Sequence, residues 1–459
     1  MISEVSRIGL ARSARIASRL REILAQDFPT STPEFLAHLI QHLVEGIAAL
    51  LRASTLDERT EKFACSLIAE LGSHLRYVES ATSSRVPASF KQPIESLIAK
   101  VSQSSRVMLR VQWTFNYKVF DIAEYYETMV DPLLGTNSVK SYLRGLQHFY
   151  IVSVPSIENV NVLLHSIVGH EFGHRVARSF LDQEDQEQLL KIIWERVGDL
   201  EWLPSIESLP ATFKLPIRQQ IFDLILQIRK RALEELISDF VGYFLFGAGA
   251  ILALAEVATT DLWDTLPSAQ NDYYPPWRFR LREVLRLASA DDFQSAVNAL
   301  DGGEPNASIR VASVKRLHDL QQIASATADL QAIDADEQVK RAYQDISAVL
   351  NSVPDFVARQ LGSVRYPLVD FSKFISPLLS RLALGLPPDD VGASAMDFRL
   401  AMTAGWLYRL ARLPIPYNAG RPWESDDDDT LNRLVLKGVE SIQLNSEFQK
   451  WSHSNARKA

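Results

Sequence analysis

The chain has 459 residues and only one cysteine, Cys65, which excludes two structural classes. A disulfide framework needs paired cysteines, and a thiolate-rich zinc site needs several. The chain also has no excess of basic over acidic residues, because its formal net charge is -8. We therefore expect no nucleic-acid partner. A single cysteine fits a reducing compartment, so the sequence predicts a soluble, cytoplasmic protein.

The chain shows little sign of a membrane span or a secretory leader. Its most apolar run, 240–255, is uncharged but shorter than the roughly 20 residues that cross a bilayer, and it predicts a core helix. The N-terminus lacks a continuous apolar core, so we expect no signal peptide. Residues 1–24 instead combine apolar positions on one helical face with arginines around it. This pattern favours a packed amphipathic helix; a transit helix or a membrane-surface helix is the alternative, so membrane association is not favoured.

Hydrophobic periodicity predicts a predominantly α-helical protein with a small β-sheet, an α+β fold. Residues 107–119 alternate apolar and mostly polar side chains, which predicts a long half-buried strand or a hairpin, and 148–154 form a second strand signal. Helical patterns cover the remaining segments, 1–105, about 159–180, 227–257 and most of the chain after 285.

These patterns divide the chain into three parts. We expect a helical N-terminal region at 1–105, a core with the strands and the chemistry at 106–285, and a helical C-terminal region at 286–459. Pro204, Pro210 and Pro216 are expected to separate helices within the core. The acidic block "ESDDDDT" at 424–430 predicts a solvated loop.

One segment, "LLHSIVGHEFGHRVARSF", has the spacing of a metal site. His170 and His174 are four residues apart, so on a helix both imidazoles project from the same face. Two ring nitrogens can then reach one ion at about 2 Å, and Glu171 adjoins them in the His-Glu-x-x-His arrangement that holds zinc. The alternative is a pair of histidines on an ordinary helix face.

A second segment, "RALEELISDFVGYFLF", places two carboxylates one helical turn apart where the helix is about to be buried. Burial of unpaired carboxylates is costly, so a positive group should lie opposite them. Glu235 suits the third zinc ligand, and Asp239 suits the acceptor that fixes the tautomer of a ligand histidine. The alternative is a salt-bridged pair with Arg229 or Arg231, a role that suits the neighbouring Glu234 better.

Together "VGHEFGH" and "EELISDFVG" resemble the gluzincin zinc metallopeptidases, whose second helix reads Glu-x-x-(Ser/Ala)-Asp. The motifs resemble most those of the branch of CAAX-prenyl and heat-shock membrane proteases, because Gly173 lies inside the first motif and Gly242 follows the second. The segment "DYYPPWRFRLREVL" is similar to that branch's His-Pro-Pro segment followed by an arginine, here Arg280. Tyr274 stands where the family has the histidine. The resemblance covers about 150–285, without the family's membrane helices.

The resemblance implies a zincin-like core with one zinc ion, held by His170, His174 and Glu235, with Asp239 supporting the ligands. Glu171 would take a proton from a zinc-activated water and pass it to the leaving amine. Tyr274 and Arg280 are the expected catalytic donors to the developing oxyanion, with Tyr273 as a further candidate. The strand at 148–154 is expected to hold an extended substrate at a sheet edge.

The sequence therefore predicts a zinc endopeptidase that hydrolyses intracellular proteins or peptides. Two alternatives stay open. In the first, the ion staples two helices of a non-catalytic scaffold. In the second, the peptidase is latent and needs a regulatory partner or a trigger, for which the terminal regions provide the material.

Overall fold

The computed structural model describes residues 3–53, 56–135, 138–184, 186–198, 210–258, 263–290, 293–300, 303, 305–389, 396–416 and 421–456. It is mostly helical with one three-stranded sheet, which confirms the predicted fold class at that level. The chain divides into two compact units, residues 1–162 with 439–459 and residues 163–438. The three-part division at 105 and 285 stays a prediction.

The first unit contains the predicted N-terminal helices and the sheet. The first of these helices, Glu4–Leu24, buries Ile16, Leu20 and Ile23 against its helical neighbours and leaves arginines exposed, as an amphipathic core-packed helix does. The helices of this unit before residue 162 are α1 (Glu4–Leu24), α2 (Thr32–Ala53), α3 (Glu58–Ser73), α4 (Leu75–Glu79), α5 (Ala88–Val101), α6 (Ile122–Leu134) and α7 (Ser138–Leu143).

Helix α2 is long and apolar enough to cross a membrane by length and composition, and it stands alone in this among the described helices. Half of its most apolar stretch is buried within the protein. Its buried residues, among them Leu36, Leu43 and Ile47, belong to the apolar core of the first unit. A buried amphipathic helix of a folded core has the same composition.

The sheet corrects the predicted strand arrangement. Its strands β1 (Ser105–Gln112), β2 (Lys118–Asp121) and β3 (His148–Pro155) have the order β1-β3-β2. The segment 107–119 is therefore neither one long strand nor a hairpin, because β3 inserts between its two halves, parallel to β1 and antiparallel to β2. The expected substrate edge at 148–154 is wrong as well, because β3 is the central strand and is paired on both sides.

The second unit is built from helices alone among the described residues. They are α8 (Val168–Gln183), α9 (Gln186–Val197), α10 (Ala211–Phe246), α11 (Ala248–Val257), α12 (Trp277–Ala290), α13 (Phe293–Asn298), α14 (Asn306–Ser325), α15 (Ala328–Ala335), α16 (Glu337–Val349), α17 (Val353–Leu361), α18 (Phe371–Ala383), α19 (Phe398–Ala411) and the first part of α20 (Ser425–Ala456).

Three helix boundaries differ from the sequence prediction. Helix α8 begins at Val168 rather than near residue 159, because two short 3-10 helices precede it. The helix predicted at 227–257 is divided at Gly247, whose φ of 58° favours glycine. Pro216 lies inside α10 instead of separating helices, whereas Pro210 directly precedes α10 as expected; Pro204 lies outside the described residues.

The acidic block at 424–430 is not a loop, because α20 begins at Ser425. Acidic side chains in a first helical turn interact favourably with the partial positive charge at the helix N-terminus. Asp427 accepts a hydrogen bond from the Glu424 backbone N–H at 2.9 Å, and Asp428 accepts one from Arg409 at 2.9 Å. The carboxylates of Asp427 and Asp428 therefore accept hydrogen bonds within the protein, whereas the sequence predicted that this acidic block is a solvated loop.

Candidate metal centre

The candidate site forms where α8 crosses α10, and glycines set the distance between the two helices. A Cβ built on Gly173 of α8 would lie 2.5 Å from the Cα of Ser238 on α10. A Cβ on Gly169 would lie 3.1 Å from the Cα of Gly242. The absence of side chains at these positions lets the backbones approach closely. This approach brings the carboxylates of α10 to the histidines of α8.

His170, His174 and Glu235 lie together as the spacing predicted. One ligand atom from each lies within 4.8 Å of the other two, a separation that could hold a metal ion. The Nε2 atom of His170 is 3.5 Å from Glu235 Oε2, and the Nε2 atom of His174 is 3.9 Å from Glu235 Oε1. Ligand atoms of a tetrahedral zinc site with 2.0–2.1 Å bonds are about 3.3 Å apart, so the two distances to Glu235 exceed that separation by about 0.2 and 0.6 Å.

The other ring nitrogen of each histidine faces a different carboxylate. His170 Nδ1 is hydrogen-bonded to Asp239 Oδ1 at 2.8 Å, the partner that the sequence assigned to Asp239. His174 Nδ1 lies 3.4 Å from Glu234 Oε1. A carboxylate beside Nδ1 favours a proton there and leaves Nε2 free to bind a metal. Both imidazoles are therefore oriented with Nε2 toward Glu235.

Arg280, from the first turn of α12, is the buried cation opposite the carboxylates of α10. Its Nε and Nη2 atoms donate hydrogen bonds to the two oxygens of Asp239 at 2.8 and 2.7 Å. Its Nη1 atom is 3.2 Å from Glu235 Oε2, and its guanidinium lies over the ring of Trp277 at 4.1 Å. Arg280 is almost completely buried, so these contacts fix its position.

Arg231 is a second cation near Glu235, on α10 one turn before it. Its Nη2 atom is 3.2 Å from Glu235 Oε1, and its Nη1 atom donates a hydrogen bond to Glu234 Oε2 at 3.2 Å. The guanidinium also lies over the ring of Tyr274 at 4.6 Å. Burial, with the nearby Glu235 carboxylate adding to its effect, raises the pKa of the Tyr274 phenol. Tyr274 therefore remains a neutral hydrogen-bond donor at physiological pH.

The electrostatic field of the site favours positive charge. Burial by itself would lower the pKa of His170, but Asp239 and Glu235 raise it to about 10. Burial raises the pKa of Glu171. For Glu235, Arg280 and the two histidines outweigh burial and hold the pKa low. The third ligand is therefore ionised.

The residues present fit a divalent metal ion. Glu235 is fully buried, yet neither of its carboxylate oxygens has hydrogen-bond geometry to any donor among the described residues. Its oxygens have ion-pair contacts with Arg280 and Arg231 at 3.2 Å, and lone pairs that no hydrogen bond occupies can bind a metal ion. The site has four carboxylates (Glu171, Glu234, Glu235 and Asp239) against two guanidiniums. This excess of carboxylates raises the pKa of His170 in the metal-free site, and a divalent ion in place of that proton would balance the same charge. Two imidazoles with one carboxylate match the ligand set of a catalytic zinc.

The structure brings most of the predicted site residues together. His170, Glu171, His174, Glu235 and Asp239 share the helix crossing, while Tyr274 and Arg280 reach it from the segment before α12 and from its first turn. The oxyanion role of Tyr274 and Arg280 stays a prediction. The contacts of Arg280 indicate a different role, because its guanidinium is engaged by two carboxylates of α10.

The salt-bridge alternative is partly realised. Arg229 is paired with Glu184 and Asp345 and takes no part in the site. Arg231 does contact Glu235, and it also contacts Glu234 as the alternative expected. Sequence reasoning missed that Glu234 also faces His174. Its position beside Glu235 on a helix was the available signal, since adjacent residues project about 100° apart around the axis.

Comparisons with known protein families, with curated proteins and with solved structures found no match for this chain.

Proposed function

We propose that this protein is a zinc-dependent endopeptidase of gluzincin type, with protein or peptide substrates. The observation that carries the proposal is the convergence of His170, His174 and Glu235, with Asp239 hydrogen-bonded to the far nitrogen of His170. Zinc, when bound, supplies a Lewis acid that acidifies a water molecule and polarises a peptide carbonyl.

The remaining residues have distinct tasks in this proposal. Glu171 accepts the proton of the attacking water and returns it to the leaving amine, and its raised pKa suits both transfers. Asp239 and Glu234 hold the two imidazoles with Nε2 directed to the ion. Arg280 holds Asp239 and Glu235 in place. Tyr274, neutral and half-buried beside the site, is the candidate donor to the substrate carbonyl oxygen.

The second candidate function is a zinc-stapled scaffold or a latent enzyme that needs a partner or a trigger. One observation favours it: Arg280 and Arg231 already lie within ion-pair distance of Glu235, so the charge of this ligand is partly balanced without an ion. A closed structural zinc site normally has four protein ligands, whereas three converge among the described residues. Three ligands leave a position for water, which favours catalysis over a staple.

The test measures zinc content and cleavage in the same preparations. The wild-type protein is expected to bind about one zinc ion and to cleave a denatured, fluorescently labelled protein. Glu171→Gln should retain the zinc and lose cleavage by about a thousandfold or more. Glu187→Gln, an exposed glutamate of α9, is the matched control and should behave as wild type.

Two other outcomes decide between the alternatives. Zinc without cleavage in the wild type would support the scaffold or the latent enzyme. Cleavage that persists in Glu171→Gln would remove this residue from the mechanism, and absence of bound metal would reject both forms of the proposal.

A further inference from the structure

Two arginines contact Glu235, and they differ in their freedom to move. Arg280 is almost completely buried, and two of its nitrogens donate hydrogen bonds to Asp239. Arg231 is a quarter exposed, and its contact with Glu235 lacks hydrogen-bond geometry. Arg280 is therefore a fixed counter-ion of the carboxylates, whereas Arg231 is nearer to solvent and donates a hydrogen bond only to Glu234 among the described residues.

Arg231 contacts a carboxylate oxygen of Glu235 that a metal would use. Its Nη2 atom is 3.2 Å from Glu235 Oε1, the same oxygen that faces His174 Nε2. A divalent ion bound to this oxygen at about 2.0–2.2 Å would be repelled by a guanidinium at that distance. The metal and Arg231 therefore compete for one oxygen.

Arg231 also has two other carboxylates nearby with which it can form ion pairs. Glu234 accepts a hydrogen bond from it, and the Oδ2 atom of Asp272 lies 3.7 Å from its Nε atom. Asp272 is 84% exposed, so its side chain can adjust to a moving guanidinium. The ring of Tyr274 provides a face along which the guanidinium can stay stacked.

We propose that Arg231 is an exchangeable counter-ion of Glu235, a regulation of the site that rests on the proposed metal binding. Without metal, Arg231 balances the charge of Glu235 and stabilises the crossing of α8 and α10 that holds the candidate ligands together. When the ion enters, Arg231 leaves Glu235 for Glu234 and Asp272. The exchange lowers metal affinity and stabilises the metal-free protein, so that metal can be loaded and released without unfolding of the helix crossing.

The experiment titrates the metal-free full-length protein with Zn²⁺ in competition with a chromophoric chelator. Arg231→Gln should bind Zn²⁺ about tenfold more tightly than wild type, because a repelling charge is removed from the ligand oxygen. Its metal-free form should unfold at a lower temperature than the metal-free wild type. Lys230→Gln is the matched control, because it removes the same charge from the adjacent, exposed position. The control should change neither quantity.

The outcomes separate the inference from the proposed function. A wild-type protein that binds no Zn²⁺ rejects both. Zn²⁺ binding by the wild type with equal or weaker binding by Arg231→Gln rejects only the exchange, because Arg231 would then support the ligand instead of competing with the metal.

A second variant tests the exchange if Arg231→Gln fails to fold without metal. Asp272→Asn removes the charge of one destination, and asparagine tolerates the φ of 54° at this position. We expect Zn²⁺ binding about two- to threefold weaker, because the displaced guanidinium is less well stabilised. Unchanged or tighter binding by Asp272→Asn would contradict the exchange.

Discussion

Gly173 of α8 lies directly against the backbone of Ser238 on α10, with no space for a side chain between them. The contact lies between the two segments that provide the candidate ligands, since Gly173 precedes His174 and Ser238 lies between Glu235 and Asp239. The separation of the two helices and the geometry of the site are therefore set by the same contact. A change in one should appear in the other.

Gly173→Ala should consequently affect both stability and metal binding. The added methyl group would lie 2.5 Å from Ser238 Cα, so the backbones must separate, at a cost of about 1–3 kcal/mol or more. We expect at least about tenfold weaker Zn²⁺ binding, because the ligands move apart with the helices. Gly303→Ala, where a Cβ meets no atom of the described residues within 4 Å, is the control. Wild-type affinity in Gly173→Ala would show that the crossing does not determine the ligand geometry.

Metal removal should destabilise the wild-type protein. A ligand that binds only the folded state raises the unfolding temperature, and the effect disappears when the ligand is chelated. We expect EDTA to lower the midpoint of thermal unfolding by about 5–10 °C. His174→Gln, a change at the most exposed of the three ligands, should show no response to EDTA. Asp223→Asn, an exposed position earlier on α10, should respond as wild type does. Equal midpoints for the wild type with and without EDTA would argue against a bound ion.

The convergence of the candidate ligands could be predicted in part from the sequence, because part of its geometry is local. Residues four apart on a helix share a face, so the pairs His170 with His174 and Glu235 with Asp239 needed only a helix to be placed correctly. The sequence also indicated that a positive group lies opposite the carboxylates of α10, and Arg280 is such a group. That a metal ion joins α8 and α10 stays a prediction.

The parts that failed depend on distant segments. The insertion of β3 between β1 and β2 is a choice of strand order, and alternation of apolar residues within a strand does not specify the partner strand. The capping contacts of Asp427 and the ion pair of Asp428 with Arg409 turned a predicted loop into a helix. The contacts of Arg280 with Asp239 and Glu235 are likewise tertiary, so no local pattern showed them; its oxyanion role stays a prediction.

Arg280→Lys should destabilise the protein despite conserving the charge. A lysine cannot donate two hydrogen bonds in parallel to Asp239 and also reach Glu235, so a buried carboxylate would lose a partner. We expect a loss of about 3–5 kcal/mol in the free energy of unfolding, measured by chemical denaturation.

The control for Arg280→Lys lies on the same helix. Arg286 is about half exposed and pairs with Glu283, so Arg286→Lys should change the stability by less than about 0.5 kcal/mol. Similar stability losses in the two variants would show that the contacts of Arg280 with the carboxylates contribute little.

A buried pair in the first unit, Lys91 and Glu95 on α5, should make stability depend on pH. Lys91 is completely buried, and its Nζ atom lies 3.7 Å from Glu95 Oε1. Burial raises the pKa of Glu95 from 4.5 to about 7, and Lys91 offsets only part of this effect. The folded protein therefore binds this proton more tightly than the unfolded chain. The resulting stability is fully present below about pH 4.5 and is lost as the pH rises through about 7.

The corresponding loss between pH 4.5 and 7 is on the order of 2–3 kcal/mol, measured as the free energy of unfolding across this range. Glu95→Gln cannot lose a proton, so its stability should vary less over the same interval. Glu45→Gln, an exposed glutamate of α2, should keep the wild-type profile. Parallel profiles for the wild type and Glu95→Gln would mean that Glu95 titrates near its ordinary pKa and that Lys91 and relaxation of the fold compensate its burial completely.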